Sequence, residues 1–353
     1  MLKKLSKQKI SDIITYGIVL VAFIVMQILI NAAQISSLFE GLMVPLCTYI
    51  ILAISLNLVV GVLGELSLGH AGFMCVGAFT SAFFSKCMQD TITNSIVRFL
   101  IALLIGIVVA AIFGLLIGIP VLRLNGDYLA IVTLAFGEII KNIVNVLFIG
   151  KDSKGFHFST KDVMALNMEP DGKVIVNGPQ GITGAPKDAT FFIGFILVLI
   201  TLFIVLNLIH SRDGRAIMAI RDNRIAAESI GINITKYKLM TFTISAAMAG
   251  AAGVLYGHNL SNLTANTNNF GYNMSINILV FVVLGGIGNI RGSIISAVVL
   301  TILPELLRGL SDYRMLIYAI VLIVMMLFNW APKAIEWREK YLSFKKNKKE
   351  AVK

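Results

Sequence analysis

Apolar residues run along this chain in blocks of about twenty, separated by short clusters of charge, Gly and Asn, and not in the alternation of a half-buried strand. A helix advances about 1.5 Å per residue, so blocks of that length match a hydrocarbon layer of about 30 Å. Such windows predict helices near 13–33, 41–61, 66–85, 97–120 and 128–149. A second group of five falls near 191–209, 239–257, 274–289, 292–308 and 315–330. The fold expected is all-α: a polytopic membrane helical bundle of about ten transmembrane helices, forming a single domain over 1–353.

Composition agrees with this pattern. The 353 residues are 57% hydrophobic and 14% charged, where soluble domains carry about 25% charged residues. The net charge of +11 does not point to nucleic acid, because the basic residues sit in short gaps between apolar runs and form no single face. Their distribution sets an orientation instead, since positive charge stays on the cytoplasmic side during insertion. With ten spans and a cytoplasmic start, the inner segments hold Lys3, Lys4, Lys7, Lys9, Arg123, six basic residues between 212 and 238, Arg291 and eight beyond 331. The outer segments hold Lys86, Arg98, five in the 150–189 loop, Arg308 and Arg314. Both termini are therefore expected in the cytoplasm. The Lys-rich start resembles a secretory signal in charge, but its apolar run from Ile13 to Ile30 is too long for one, so a retained first helix is expected. The Lys-rich tail beyond Trp337 is expected near anionic headgroups.

The 150–189 loop is the one long outer segment, and Asp152, Asp162, Glu169, Asp171 and Asp188 neutralise its five basic residues. NGPQGITGAP at 177–186 predicts tight turns, and the loop reads either as a connector or as a docking surface for an outside partner. Five helices on each side of it raise an inverted repeat, yet the Gly-rich stretches beside both third helices lie toward the cytoplasmic end, where a clean inversion would separate them. Cys47, Cys75 and Cys87 have no CxxC spacing, and the histidines at 70, 157, 210 and 258 are scattered, so neither a disulfide framework nor a metal site is expected.

Four regions could carry function. GELSLGHAGF at 64–73 interrupts an apolar stretch with three glycines, Glu65, Ser67 and His70. Two readings stand: a broken helix on a translocation path, or Gly64, Gly69 and Gly72 as contact points for neighbouring helices. Glu138 falls mid-helix with Lys141 on the same face, which gives an internal ion pair or a group on the solute path. Asn57, Asn142 and Asn145 read as hydrogen bonds between helices. Gly285, Gly286 and Gly288 interrupt a later span and border the same cavity in the path reading. The segment 211–238 mixes basic and apolar residues at short helical spacing: Asp222 or Asn223 caps a helix over Arg224–Ile230, and Gly231 stops it in the left-handed region. Ile225, Ala226, Ser229 and Ile230 then want a groove, in this chain or on a cytoplasmic partner, with a helix lying on anionic lipid as the other reading.

With these residues on the page, GRAIMAIRDNRIAAESIGIN resembles the cytoplasmic coupling segment of the branched-chain amino acid permeases of ATP-binding-cassette importers. LVVGVLGELSLGHAGFMCVGAF, GDYLAIVTLAFGEIIKNIV and VLGGIGNIRGSIISA are similar to three further signatures of that family, in the same order. Ala226, Ala227 and Gly231 match the spacing of the wider importer motif EAAxxxG, while Ile225 replaces its acidic residue and the downstream leucine-proline ending is missing. NGPQGITG resembles the Gly-rich outer segment of the longer of the two permease types that pair as a heterodimer.

The resemblance implies a division of labour among a second homologous permease subunit, two cytoplasmic ATPase subunits and an extracytoplasmic solute-binding protein, in a bacterial plasma membrane. It assigns ATPase coupling to Gly214, Arg215, Arg221, Asp222, Asn223, Ala226, Ala227 and Gly231. No cofactor is implied, and no ATP site: the nearest phosphate-loop spacing, Gly150 to Gly155, is followed by Phe156 and not by Lys-Ser/Thr. Leucine, isoleucine and valine are the solutes expected, with urea, amides or nucleosides as alternatives inside the family. An ion-coupled secondary transporter is the rival outside it. A membrane-embedded enzyme needs convergent acid, base or metal groups, which this sequence does not offer.

Overall fold

The computed structural model describes residues 7–32, 37–124, 126–170, 172–310 and 313–330. Lys3, Lys4, Asp171 and the tail beyond 331 lie outside the described residues. Each of the ten segments read as helical contains a helix, but residues 66–69, 148–149 and 286–289 at the ends of three of them are not helical. The first half holds α1 (Lys7–Asn31), α2 (Ser37–Asn57), α3 (His70–Cys87), α4 (Ser95–Val121) and α5 (Asp127–Val146). A six-residue π-helical turn, Leu58–Leu63, continues α2.

After α5 the chain leaves the helical pattern. Strands β1 (Phe148–Asp152), β2 (Gly155–Ser159) and β3 (Lys173–Asn177) form an antiparallel sheet in the order β2-β1-β3. The short β4 (Ile182–Thr183) follows tight turns, with Gly178, Gly181 and Gly184 at positive φ as the NGPQGITGAP stretch predicts. The all-α expectation is thus corrected here: the outer loop carries a small sheet. Its strands are five residues or shorter and amount to a weak period-2 signal beside helices four times as long.

The second half contains α6 (Phe191–His210), α7 (Arg212–Asp222), α8 (Arg224–Ser229) and α9 (Ile234–Gly257). Strand β5 (Asn262–Leu263) pairs with β4, and α10 (Thr267–Phe270), α11 (Tyr272–Gly285), α12 (Ile290–Leu306) and α13 (Arg314–Trp330) complete the chain. Among the described residues six segments are long and apolar enough to cross a membrane: Asp12–Ile30, Phe39–Leu63, Ser95–Val121, Asp127–Val146, Phe191–His210 and Ile234–Gly257.

The core lies where α2, α3, α4 and α9 meet. Small residues let these helices approach: a Cβ at Gly77 would stand 2.3 Å from the Gly250 carbonyl oxygen. Lipid tails are as apolar as leucine, so close backbone packing and not hydrophobicity must hold such a seam together. The outward sides are aliphatic. Leu100, Leu104, Val108 and Ile112 recur at helical spacing on the exposed face of α4, the inverse of a soluble helix.

Candidate functional site

The 211–238 segment is built from caps. Ser211 accepts from Gly214 N and starts α7, while a Cβ at Gly214 would stand 2.1 Å from the Leu208 carbonyl oxygen, so the chain turns this sharply out of α6 only with glycine there. Of the two capping candidates it is Asn223 that accepts from Ala226 N, at 3.0 Å, and starts α8; Asp222 accepts from the Arg221 guanidinium instead. Gly231 stops the unit at φ +86. Ala227 packs inward against Ile220 and Ile234. Ile225 and Ile230 are 81% and 74% exposed, and Ala226 and Ser229 are exposed beside them, so among the described residues no groove receives that side of α8. Arg215 is also exposed and donates to the His210 carbonyl.

The broken helix meets this segment directly. Gly64 takes φ +81 and ends the π-turn, residues 64–69 are non-helical, and α3 starts at His70. Arg221 Nη1 donates to the Gly61 carbonyl at 3.0 Å, and Lys238, near the start of α9, makes a buried ion pair with Glu65. Asn57 joins a second break. It donates to Ser293 Oγ at 2.9 Å and accepts from Gly288 N at 2.9 Å, holding the turn at Gly286 and Gly288 that separates α11 from α12. The two Gly-rich breaks therefore sit together at the coupling end, and Gly285 lies against Gly292 within the second one.

Within the 64–72 stretch the glycines divide between the two readings. Gly69 and Gly72 are contact points: a Cβ on them would stand 2.6 Å from the Thr133 carbonyl oxygen and 2.7 Å from Gly137 Cα. Gly64 belongs to the break. Leu68 N donates to Thr133 Oγ1, and His70 Nε2 bonds Ser245 Oγ at 3.0 Å. Ser67 Oγ and His70 Nδ1 are buried with no hydrogen-bond partner among the described residues.

Glu138 pairs with Lys141, which also donates to Thr267 Oγ1 at 3.2 Å. Its second oxygen accepts from Tyr272 N at 2.8 Å, so a carboxylate on α5 caps the positive end of α11. Asn145 bonds the Ala265 carbonyl, and Asn142 stays exposed. At the N-terminal end of α4 Arg98 grips Asp188 with two hydrogen bonds of 2.7 and 2.9 Å, and both side chains are buried. Burial pushes the Asp152 pKa up, but N–H donors of Glu169 and Lys154 and the His157 ring outweigh it and hold that carboxyl below its ordinary value. Among the described residues no three His, Cys, Asp or Glu side chains gather as a metal site would need. The Glu65–Lys238 and Arg98–Asp188 pairs escaped the sequence reading because each joins residues 90 or more apart, for which a single sequence carries no signal.

Across residues 37–328 the chain matches the sequence model of the family described as branched-chain amino acid transport system / permease component. The chain belongs to this family. The permease is similar to the high-affinity branched-chain amino acid transport system permease protein LivM of Escherichia coli (strain K12), at 35% identity over 296 residues, covering 81% of this chain and 67% of the relative. To the corresponding LivH protein of the same organism it is 25% identical over 287 residues, 79% of this chain and 89% of the relative. The fructose import permease protein FruG of Bifidobacterium longum (strain NCC 2705) is 24% identical over 340 residues, 94% of each chain. No solved structure matches. The permease is a multi-pass membrane protein, and helix α1 precedes the matched region.

Proposed function

We propose that this chain is the longer permease subunit of an ATP-driven importer, carrying leucine, isoleucine and valine delivered by an extracytoplasmic binding protein across a bacterial plasma membrane. In this reading it spans the bilayer ten times with both termini inside, pairs with a second homologous permease, and leaves ATP hydrolysis to two cytoplasmic ATPase subunits. The observation that carries it is the exposed side of α8. Ile225 on this capped six-residue helix and Ile230 at its C-terminal cap stand bare, and the helices on either side of it, α7 and α9, are fastened to the break by Arg221–Gly61 and Lys238–Glu65. An apolar side so placed suits a protein groove, and its fastening suits transmission of movement to the 64–69 break.

Alternating access follows in three steps. ATP binding draws the ATPases together, their groove carries α8, and the shared contacts at Asn57, Gly61 and Glu65 move both breaks at once. The solutes come from the LivM and LivH relatives, while the FruG relative supports fructose as the second candidate. The test is the reconstituted complex with Ala226→Asp or Gly231→Val. Hydrolysis should continue while leucine uptake is lost; uptake at the unaltered rate in both variants refutes the coupling role. Competition of labelled leucine uptake by unlabelled valine but not fructose supports the solute assignment, and competition by fructose alone overturns it.

A further inference from the structure

Helix α1 precedes the matched region, and among its described side chains only Thr15 is buried. Its polar clasps lie toward α7: Asp12 stands 3.5 Å from His210 at the end of α6, and Arg291 of α12 bonds Thr15. Further along, Phe23 stacks on Phe195 with 3.8 Å between ring centroids. Beside that stack a cavity of about 410 Å³ separates α1 from the bundle, lined from 18–26 of α1, 43–50 of α2, 191–198 of α6 and 294–302 of α12. Every lining residue is apolar. Ile18, Val25, Ile295 and Val299 among them are also exposed at the surface, so the cavity opens sideways between α1 and α12.

Physical chemistry narrows what fills this space. A buried water needs about two to four polar partners, and a wholly apolar lining offers none. Left empty, the cavity would cost its lining residues their dispersion contacts. Its volume lies in the range of about 300–1,000 Å³ that accommodates a small organic ligand. The cavity belongs to the candidate spans Asp12–Ile30, Phe39–Leu63 and Phe191–His210, at membrane depth, where the apolar molecule at hand is lipid. From Ile18 to Met26 it runs about 12 Å along α1, a length that takes part of an acyl chain. A second recess, of about 340 Å³, adjoins it through Phe191, which lines both. It lies at the end away from α7, where Gln27, Glu40 and Thr190 add polar groups. Glu40 is exposed, and no basic residue lines the recess.

We infer that the cavity between α1 and the bundle holds an acyl chain of a bilayer phospholipid with an amine-bearing headgroup, of the zwitterionic phosphoethanolamine class. The chain fills the space among α1, α2, α6 and α12, and the headgroup reaches the recess. There the Glu40 carboxylate attracts the ammonium and disfavours an anionic headgroup. The lipid completes packing that protein side chains leave open and seats α1 on the helices of the matched region. This site needs only a multi-pass membrane chain and stands apart from the import reading.

The experiment places the full chain, alone and with its second permease, in vesicles of phosphatidylethanolamine and phosphatidylglycerol in equal amounts. A trace of one lipid or the other carries a photoactivatable acyl chain, and crosslinks are mapped by mass spectrometry. At Met26 and Met43 in the cavity the phosphatidylethanolamine probe should crosslink about threefold more than the phosphatidylglycerol probe, the scale of one exposed ion pair. At Leu104 and Ile112, on the exposed face of α4, the two probes should crosslink equally. Val298→Phe or Ala22→Phe, which fill the cavity, should reduce crosslinks at Met26 and Met43 and leave those on α4 unchanged. Glu40→Lys should reverse the headgroup preference, and because Glu40 is exposed this variant keeps the test readable if the filling variants do not fold. Cavity crosslinks that are absent, or that survive both filling variants, overturn the acyl-chain site. Equal use of the two probes in the cavity, or a preference that survives Glu40→Lys, overturns the headgroup class. Cavity crosslinks present in the chain alone and absent from the pair give the space to a partner helix and overturn the inference too.

Discussion

Single residues hold the functional geometry through buried polar contacts. Glu65 and Lys238 have side chains only 14% and 4% exposed, and removing one partner strands the other charge. Glu65→Gln or Lys238→Met should each cost about 3–5 kcal/mol, read as a lowered unfolding midpoint in detergent, and exchange of the two residues should recover part of the loss. Unchanged midpoints in both single variants contradict the pairing. The outer sheet should respond to acid. Asp152 is held below its ordinary 3.8, so its contribution is complete above that value and is lost as pH falls through the lower folded value. Amide exchange in 148–159 should therefore rise only below about pH 4, while a rise near pH 6 would point to a different group. Asn57 was legible as a residue joining helices, but its partners, Gly288 and Ser293, were not, because they lie more than 230 residues away.

Elements carry the next level. The local build of 211–238 was largely legible, since a cap and a left-handed glycine act within a few residues of themselves: Asn223, one of two capping candidates, caps and Gly231 stops, while the inward turn of Ala227 was not read. Asn223→Ala should cost about 1 kcal/mol of local helix stability, seen as faster amide exchange confined to 224–229. The small sheet was not legible, because its strands are short and their pairing spans up to about thirty residues of turn-rich chain. The 64–72 glycines were legible as a group, yet their division into one break and two contacts depends on Thr133 and Gly137, on another helix. Gly72→Val should for the same reason prevent close docking of α3 on α5 and reduce the yield of folded protein, whereas Gly126→Ala, with open space around its Cβ, should cost at most the strain of its positive φ.

At the scale of the molecule, apolar blocks located the helices because the bilayer reverses the usual rule and leaves aliphatic faces outward. In the proposed reading the whole fold is one moving part, with a bare apolar helix at one end and two linked breaks beside it. Such a part needs an engine. The most direct measurement is leucine accumulation in vesicles containing this chain and its second permease, with and without the ATPase subunits. Accumulation against a gradient only when the ATPases and ATP are present is the result predicted; accumulation by the permeases alone, driven by an ion gradient, would contradict the account.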